Sequence, residues 1–328
     1  MEFLSMNNPP EGLREPTLLF SFAGWADAAE SATHALRYVV RHLNGEKFAE
    51  VDPEEFYNFT RVRPKTKFDD AGERYIEWPA NEFFSIRRED AATDLVVFLG
   101  TEPNVRWRTF TESLVAQVQS LGVIKVIQVG ALLDAVPHTR ETRITGTATS
   151  PELRGLLRGI HVRRSRYTGP TGITGVLTDA LRRAGIATVS LWGHTPHYLQ
   201  VSPNPKVSLR LIKGLEQLLD IHVDVEALAS QGLNFERRVE QALEGETDVV
   251  EYVQRLEAQW DSSGGSASAA KQSKIEDSSS DGTENADRPE PAGSGAEPGE
   301  IPDADQAVRG IEEFLRQERE GDNGDGQG

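Results

Sequence analysis

The 328-residue chain has no cysteine, which excludes disulfides, thiolate metal sites and a thiol nucleophile, and makes a cytoplasm its natural compartment. No apolar run reaches membrane length. The opening MEFLSMNNPPEGLREP, with its acids and double proline, reads neither as a leader nor as a membrane span. A P-loop, a GxGxxG fingerprint and a Gly-x-Ser-x-Gly elbow are missing from the region expected to fold, and Ser21 and Ser190 fall inside strand patterns, so no cofactor and no serine triad are expected. An excess of positive charge is missing as well, the net charge being −17. From Asp261 onward 17 acids face 6 bases, so that stretch carries −11 and residues 1–260 only −6. A mildly acidic folded part is a poor footprint for a phosphate backbone, and nucleic acid is not an expected partner.

What is present divides the chain. Residues 1–260 alternate apolar runs with helical periods, whereas 261–302 are rich in Ser, Gly, Ala, Pro and acids without an aromatic residue, the composition of a disordered linker. Residues 303–320 read as a short amphipathic helix with Val308, Ile311, Phe314 and Leu315 along one side. Kept on a tether, that stripe points to docking onto its own domain or a partner, while 321–328 are expected to be disordered. Within the folded part TLLFSFA, DLVVFLG, VIKVIQVG and ATVSLW are nearly continuous apolar runs, as in strands covered on both faces. Helical stripes accompany them: Ala32 to Leu43, Trp107 to Leu121 and Ile173 to Leu181. The segments EFYNFT, RYIEWP and EFFSIR read as short, partly antiparallel edge strands. This is the pattern of an α/β fold, three-layer α/β/α with a mostly parallel doubly wound sheet, and apolar stripes across 206–258 add a C-terminal helical cap.

In such a sheet, ligands bind beyond the carboxyl ends of the strands. The loops expected there carry Gly24, Trp25 and Asp27; Glu102, Asn104 and Arg106; His138; Thr168, Gly169, Thr171 and Gly172; and His194 and His197. Thr168 to Gly172 open a helix, so their N–H groups and the helix dipole suit an anion, although glycines at such a turn also serve close packing. Glu102 fits a general base and Arg106 an anion clamp, or else Glu102 or Asn104 caps the following helix. His194 and His197 have a spacing open to one metal, but Pro196 lies between them and no third ligand is near, so no metal is expected.

The segments FAGWADAAESATHAL, FYNFTRVRPKTKFDDAGERYIEWP, GTEPNVRWRTF, GALLDAVPHTRETRITGTA, RYTGPTGITGVLTDALRRAGI and WGHTPHYLQVSPNPKVSLRLIKGLEQLL, in this order, resemble the bacterial branch of the proteasome assembly chaperone two family. The likeness runs from about Leu18 to Leu256 and resumes around AVRGIEEFLRQ. It implies a fold similar to nucleoside phosphorylases and peptide hydrolases, self-association with a trimer as the leading form, and proteasome subunits as candidate partners. No catalytic residue follows from it. Relatives that engage the proteasome commonly use a C-terminal hydrophobic–tyrosine–any-residue motif, and the end Asn323 to Gly328 departs from it. The expectation is therefore a non-catalytic assembly or interaction factor. The alternative is an enzyme or a binder of nucleosides or anions that uses the crevice.

Overall fold

The computed structural model of the chain describes residues 3–263 except positions 90, 166, 200 and 245. In order, the strands and helices are β1 (Leu4–Met6), β2 (Thr17–Ala23), α1 (Ser31–His42), β3 (Glu46–Val51), β4 (Lys65–Phe68), β5 (Arg74–Glu77), β6 (Asn81–Ile86), β7 (Leu95–Thr101), α2 (Trp107–Ser120), β8 (Lys125–Asp134), β9 (Ile144–Ala148), α3 (Pro151–Gly159), β10 (Arg163–Arg164), α4 (Ile173–Arg183), β11 (Ala187–Pro196), α5 (Pro205–Leu219), α6 (Glu226–Leu243) and α7 (Thr247–Ser262). Nine strands form one sheet in the order β1-β3-β6-β7-β2-β8-β11-β9-β10, and β4 and β5 form a separate two-stranded ribbon.

The four apolar runs read as buried strands are β2, β7, β8 and β11, neighbours at the centre of the sheet and parallel to one another. Alternation explains their continuous apolarity. Leu18, Phe20, Phe22, Val96 and Phe98 pack on one face with Phe110 and Leu114 of α2 and Leu177 of α4. Leu19, Val97, Ile127, Val129 and Leu191 pack on the other with Leu36 of α1 and Leu211 and Leu215 of α5.

The expected mostly parallel sheet is corrected to a mixed one: β2–β7, β2–β8, β8–β11 and β9–β10 are parallel, while β1–β3, β3–β6, β6–β7 and β9–β11 are antiparallel. For β6–β7 the reason is connection length: a parallel link needs a crossover of about a dozen residues or more, and 87–94 is shorter than that. EFYNFT is not a strand; its backbone turns, with Phe56 N–H donating to Pro53 O (3.1 Å) and Arg61 N–H to Asn58 O (2.8 Å). RYIEWP supplies β5 and EFFSIR supplies β6.

Of the C-terminal helices, α5 is integral to the core beneath α1. Pro205 sits at its first turn and the Asn204 side chain accepts from the Lys206 and Val207 N–H groups (3.2 Å each). By contrast α6 and α7 make a satellite core with Tyr198 and Leu199 through Phe235, Val239, Val253 and Leu256. Helix α7 runs to Ser262, into the stretch expected to start the linker. The remainder of that expected linker, the helix at 303–320 with Val308, Ile311, Phe314 and Leu315, and the end 321–328 lie outside the described residues.

Candidate functional site

After β2 the chain passes to α1 on the Leu19 face, and after β7 to α2 on the Phe98 face. Adjacent parallel strands whose connections diverge open a crevice at their carboxyl ends. A cavity of about 960 Å³ lies there, beneath the β4–β5 ribbon, lined by Glu30, Arg37, Lys65, Asn81 and Thr101 among others. Its floor is held by Asn81, whose Oδ1 accepts the Thr101 N–H (3.2 Å) and whose Nδ2 donates to the Tyr57 hydroxyl (2.6 Å), which in turn donates to Thr101 O. Burial pushes the Tyr57 phenol up. None of the sequence-predicted site residues lines this cavity. Arg37, Lys65 and Asn81 come from a helix face, the ribbon and a strand start, and no local spacing marks them; the turn that buries Tyr57 was hidden by a strand-like composition.

The predicted residues separate into three groups. In the first, Glu102 follows β7 and accepts the Ile173 N–H at the start of α4 (2.9 Å) and the Trp25 N–H (3.3 Å). The helix N-terminus expected to hold an anion thus holds the chain's own carboxylate, supplied from 71 positions away. Gly172 is required for this approach, since a Cβ there would lie 2.6 Å from Glu102 Oε1. Thr168, Gly169 and Thr171 remain exposed beside it. Gly24, at φ +126°, turns the chain out of β2. Asp27 is buried and caps α1: it accepts the N–H groups of Ala32 (2.6 Å) and Thr33 (3.2 Å) and the Thr33 hydroxyl. Burial pushes its carboxyl up to about 6 against those three hydrogen bonds.

The second group gathers the histidines. The Tyr198 hydroxyl accepts the His138 backbone N–H (2.9 Å) and also meets His138 Nδ1 (2.9 Å). His138 Nε2 is buried without a hydrogen-bond partner. Burial, aided by nearby Lys206, lowers this imidazole to about 4, so it stays neutral. His194 Nδ1 meets Asp134 Oδ2 (2.7 Å) and its Nε2 meets Thr145 Oγ1 (3.0 Å). Burial pushes the Asp134 carboxyl up, but the hydrogen bond and charge of His194, with Arg143, hold it below the usual range. His197 turns instead to the Asp134 carbonyl (3.2 Å) and the Tyr252 hydroxyl (3.4 Å). Asp134–His194–Thr145 has the connectivity of an acid, base and hydroxyl relay. However, the adjoining pocket, lined by His138, Arg143 and His194, measures about 10 Å³, room for about one water and not for an acyl substrate. The relay links β8, β11 and β9 and reads as a cross-strand tie. Among the described residues no cluster of three or more His, Asp or Glu is placed to hold a metal.

In the third group Asn104 does not cap α2. Its Oδ1 accepts the Asn58 N–H (2.9 Å), and Arg106 pairs with Glu55 and lies over the Phe3 ring (5.3 Å). Both pin the 53–62 turn to the loop after β7. On the same end of the sheet two aromatic residues are left out in solvent: Trp25 at 63% exposure and Tyr167 at 67%. They flank the start of α4, and the Trp25 ring lies 3.2 Å from the position of a Cβ on Gly172.

The PAC2 family model matches residues 21–243. A PAC2 family protein from Streptomyces avermitilis is 37% identical, covering 73% of this chain and 99% of its own, with a TM-score of 0.65. The Mycobacterium tuberculosis proteasome-assembly chaperone homologue is 34% identical over 72% of this chain and 99% of its own, with the same TM-score of 0.65. At 17% identity a Pyrococcus furiosus archaeal proteasome activator shares the fold, with a TM-score of 0.61 over 74% of this chain and 99% of its own. No curated protein matches the chain. With its family model spanning most of the sequence and two such relatives covered almost end to end, the chain belongs to the PAC2 family.

Proposed function

We propose that this protein is a non-catalytic interaction or assembly factor that engages proteasome subunits. The observation that carries the reading is its likeness to the M. tuberculosis proteasome-assembly chaperone homologue. The site agrees in kind. Asp27 and Glu102, the acids best placed for chemistry, are spent on helix N-termini, while Trp25 and Tyr167 project from the resulting rigid face, and exposed aromatic side chains are typical anchors of protein interfaces. The test is sedimentation and native mass spectrometry of the purified full chain with unassembled proteasome α subunits of its own organism. A stoichiometric complex is expected, weakened at least tenfold by Trp25→Ala. Absence of any complex at high micromolar concentration of both partners overturns the proposal.

The reading carries finer parts. Helices on both faces of the parallel centre support a three-layer doubly wound core, with antiparallel strands added at the margins. A cysteine-free chain with proteasome-related relatives suits the cytoplasm, no described helix is long and apolar enough to cross a membrane, and the composition still gives nucleic acid no footprint. Self-association, with a trimer as the leading form, an acidic linker over the part of 261–302 that follows α7 and a docking helix over 303–320 complete it.

A second reading is favoured by the 960 Å³ cavity at the switch point, a size suited to a small ligand such as a nucleoside or anion. Its wall mixes Arg37 and Lys65 with Glu30 and Asp52, so no single charge is selected. Calorimetry with phosphate, nucleosides and nucleotides decides it, and silence at millimolar concentration removes it.

A further inference from the structure

We propose that the free edge of β5 is a self-recognition strand, which pairs antiparallel with β5 of a second copy of this chain across a two-fold axis centred on Ile76.

The ribbon is unusual in being uncovered. Seven of its eight strand residues are exposed, including Phe68, Tyr75 and Ile76, and Trp78 just beyond it is exposed too. A lone two-stranded hairpin is marginal in water and gains from a further strand, and an unpaired edge is a template for one. Its register identifies which edge groups are available. Lys65, Thr66, Lys67 and Phe68 face Glu77, Ile76, Tyr75 and Arg74, and at the turn the Asp69 N–H donates to Glu73 O (2.9 Å). Hydrogen-bonded and non-hydrogen-bonded pairs alternate along an antiparallel ladder. The N–H and C=O groups of Tyr75 and Glu77 therefore point to β4, while those of Arg74 and Ile76 point outward.

A two-fold axis perpendicular to the ribbon sets identical or even-separated positions opposite one another, so each strand has two registers centred on an interior residue. In β4, centring on Thr66 opposes Lys65 to the partner's Lys67, and centring on Lys67 opposes that lysine to itself. Both place like charges face to face, which is destabilising. In β5, centring on Tyr75 opposes Glu73 to the partner's Glu77. Centring on Ile76 opposes no like charges. Ile76 then meets the partner's Ile76 with both outward backbone bonds exchanged, Tyr75 meets the partner's Glu77, and Arg74 meets the partner's Trp78, a cation–π match. Arg74 already lies over the Phe68 ring (5.6 Å), so its guanidinium is carried on the ribbon surface. The contact is isologous and self-limiting, and it is separate from the Trp25 and Tyr167 face, so it stands whether or not proteasome subunits bind there.

The test uses the full chain. A two-fold contact doubles the assembly it joins, a monomer to a dimer or a trimer to a hexamer, so the parent should show a concentration-dependent doubling of mass by sedimentation. Ile76→Pro removes an outward N–H that the ribbon itself does not use, and should weaken self-association at least tenfold. Thr66→Pro, the matching change on the β4 edge, should leave it intact. Because the parent has no cysteine, Ile76→Cys reports register directly: opposed Cα atoms at about 5.5 Å fall within disulfide range, so mild oxidation should crosslink it, and faster than Tyr75→Cys. A parent that shows no such doubling, an assembly indifferent to Ile76→Pro but broken by Thr66→Pro, or faster crosslinking of Tyr75→Cys each overturns the proposal. Circular dichroism confirms that the proline variants are folded before either result is read.

Discussion

Asp27→Asn offers a quantitative test of how the crevice is built. Asp27 is 5% exposed, and burial raises its carboxyl from 3.8 to about 6 even though it caps α1. A group whose folded-state value is raised binds its proton more tightly in the folded protein, so its contribution to stability is full below about pH 4. It then declines as the pH rises toward 6 and stays lost above that. A shift of two units corresponds to about 3 kcal/mol. Asparagine keeps an acceptor for the Ala32 N–H and is always neutral, but leaves the Thr33 N–H short of a partner, at a cost of about 1 kcal/mol. The variant should therefore be slightly less stable than the parent at pH 4 and about 2 kcal/mol more stable at pH 7. Urea denaturation at steps across this range measures the gap, with dilute protein because the sequence pI is near 4.9. A gap that does not change with pH, or one that turns increasingly against asparagine as pH rises, would show that the three hydrogen bonds and the helix N-terminus outweigh burial, and would refute the reasoning.

Asp94 is fully buried and held at about 2, because bonds from the Arg14 side chain and from the Arg14 and Arg88 N–H groups outweigh the burial that pushes it up; its contribution is present above pH 4 and lost toward pH 2. Arg14→Gln should move the acid-unfolding midpoint to higher pH, and an unchanged midpoint counts against that role. A Cβ on Gly146 would sit 2.2 Å from Ser190 O across the β9–β11 pair, so Gly146→Ala should cost roughly 3 kcal/mol in denaturant titration; a loss under about 1 kcal/mol means the strands separate easily. Phe314→Ser with Leu315→Ser should lower the melting temperature if the C-terminal stripe docks, since each side chain is worth roughly 1.5–3 kcal/mol on burial. Unprotected amide exchange over 304–318 in the parent would place that stripe with an external partner instead.

The centre of the fold was legible because strands buried on both faces must be apolar at every position, and β2, β7, β8 and β11 announce themselves in that way. The margins were not. Strand β9 reads ITGTA, short and rich in Thr and Gly, and its identity as a strand depends on Gly146 letting the backbone of β11 come close. Helix α3 did carry a local signal, Ser150-Pro151-Glu152, with the Ser150 hydroxyl accepting the Leu153 N–H (3.2 Å). Several loops do follow strand ends, but β8 and β11 run further than their apolar runs, to Asp134 and Pro196, so His194 lies inside β11 and not in a loop; the side chains of the remaining loops could not be assigned. Sequence proximity suggested that Glu102 or Asn104 capped α2; in fact Glu102 caps α4 and Asn104 braces the turn at Asn58. A cap supplied from a distant segment leaves no spacing to read.

That long-range capping also weighs against Glu102 and Asp27 as general bases. An acid serving as a general base needs a reacting group within reach and freedom from competing donors. Glu102 has instead two backbone N–H partners, from Trp25 and Ile173, and Asp27 has three hydrogen bonds within its own helix entry. Such carboxylates stiffen the ends of β2, β7 and α4 against one another. The residues they immobilise are the carriers of Trp25, and a large aromatic side chain on a backbone already ordered loses little further entropy when a partner covers it. The same hydrogen bonds that disqualify these acids from chemistry thus prepare the surface for binding.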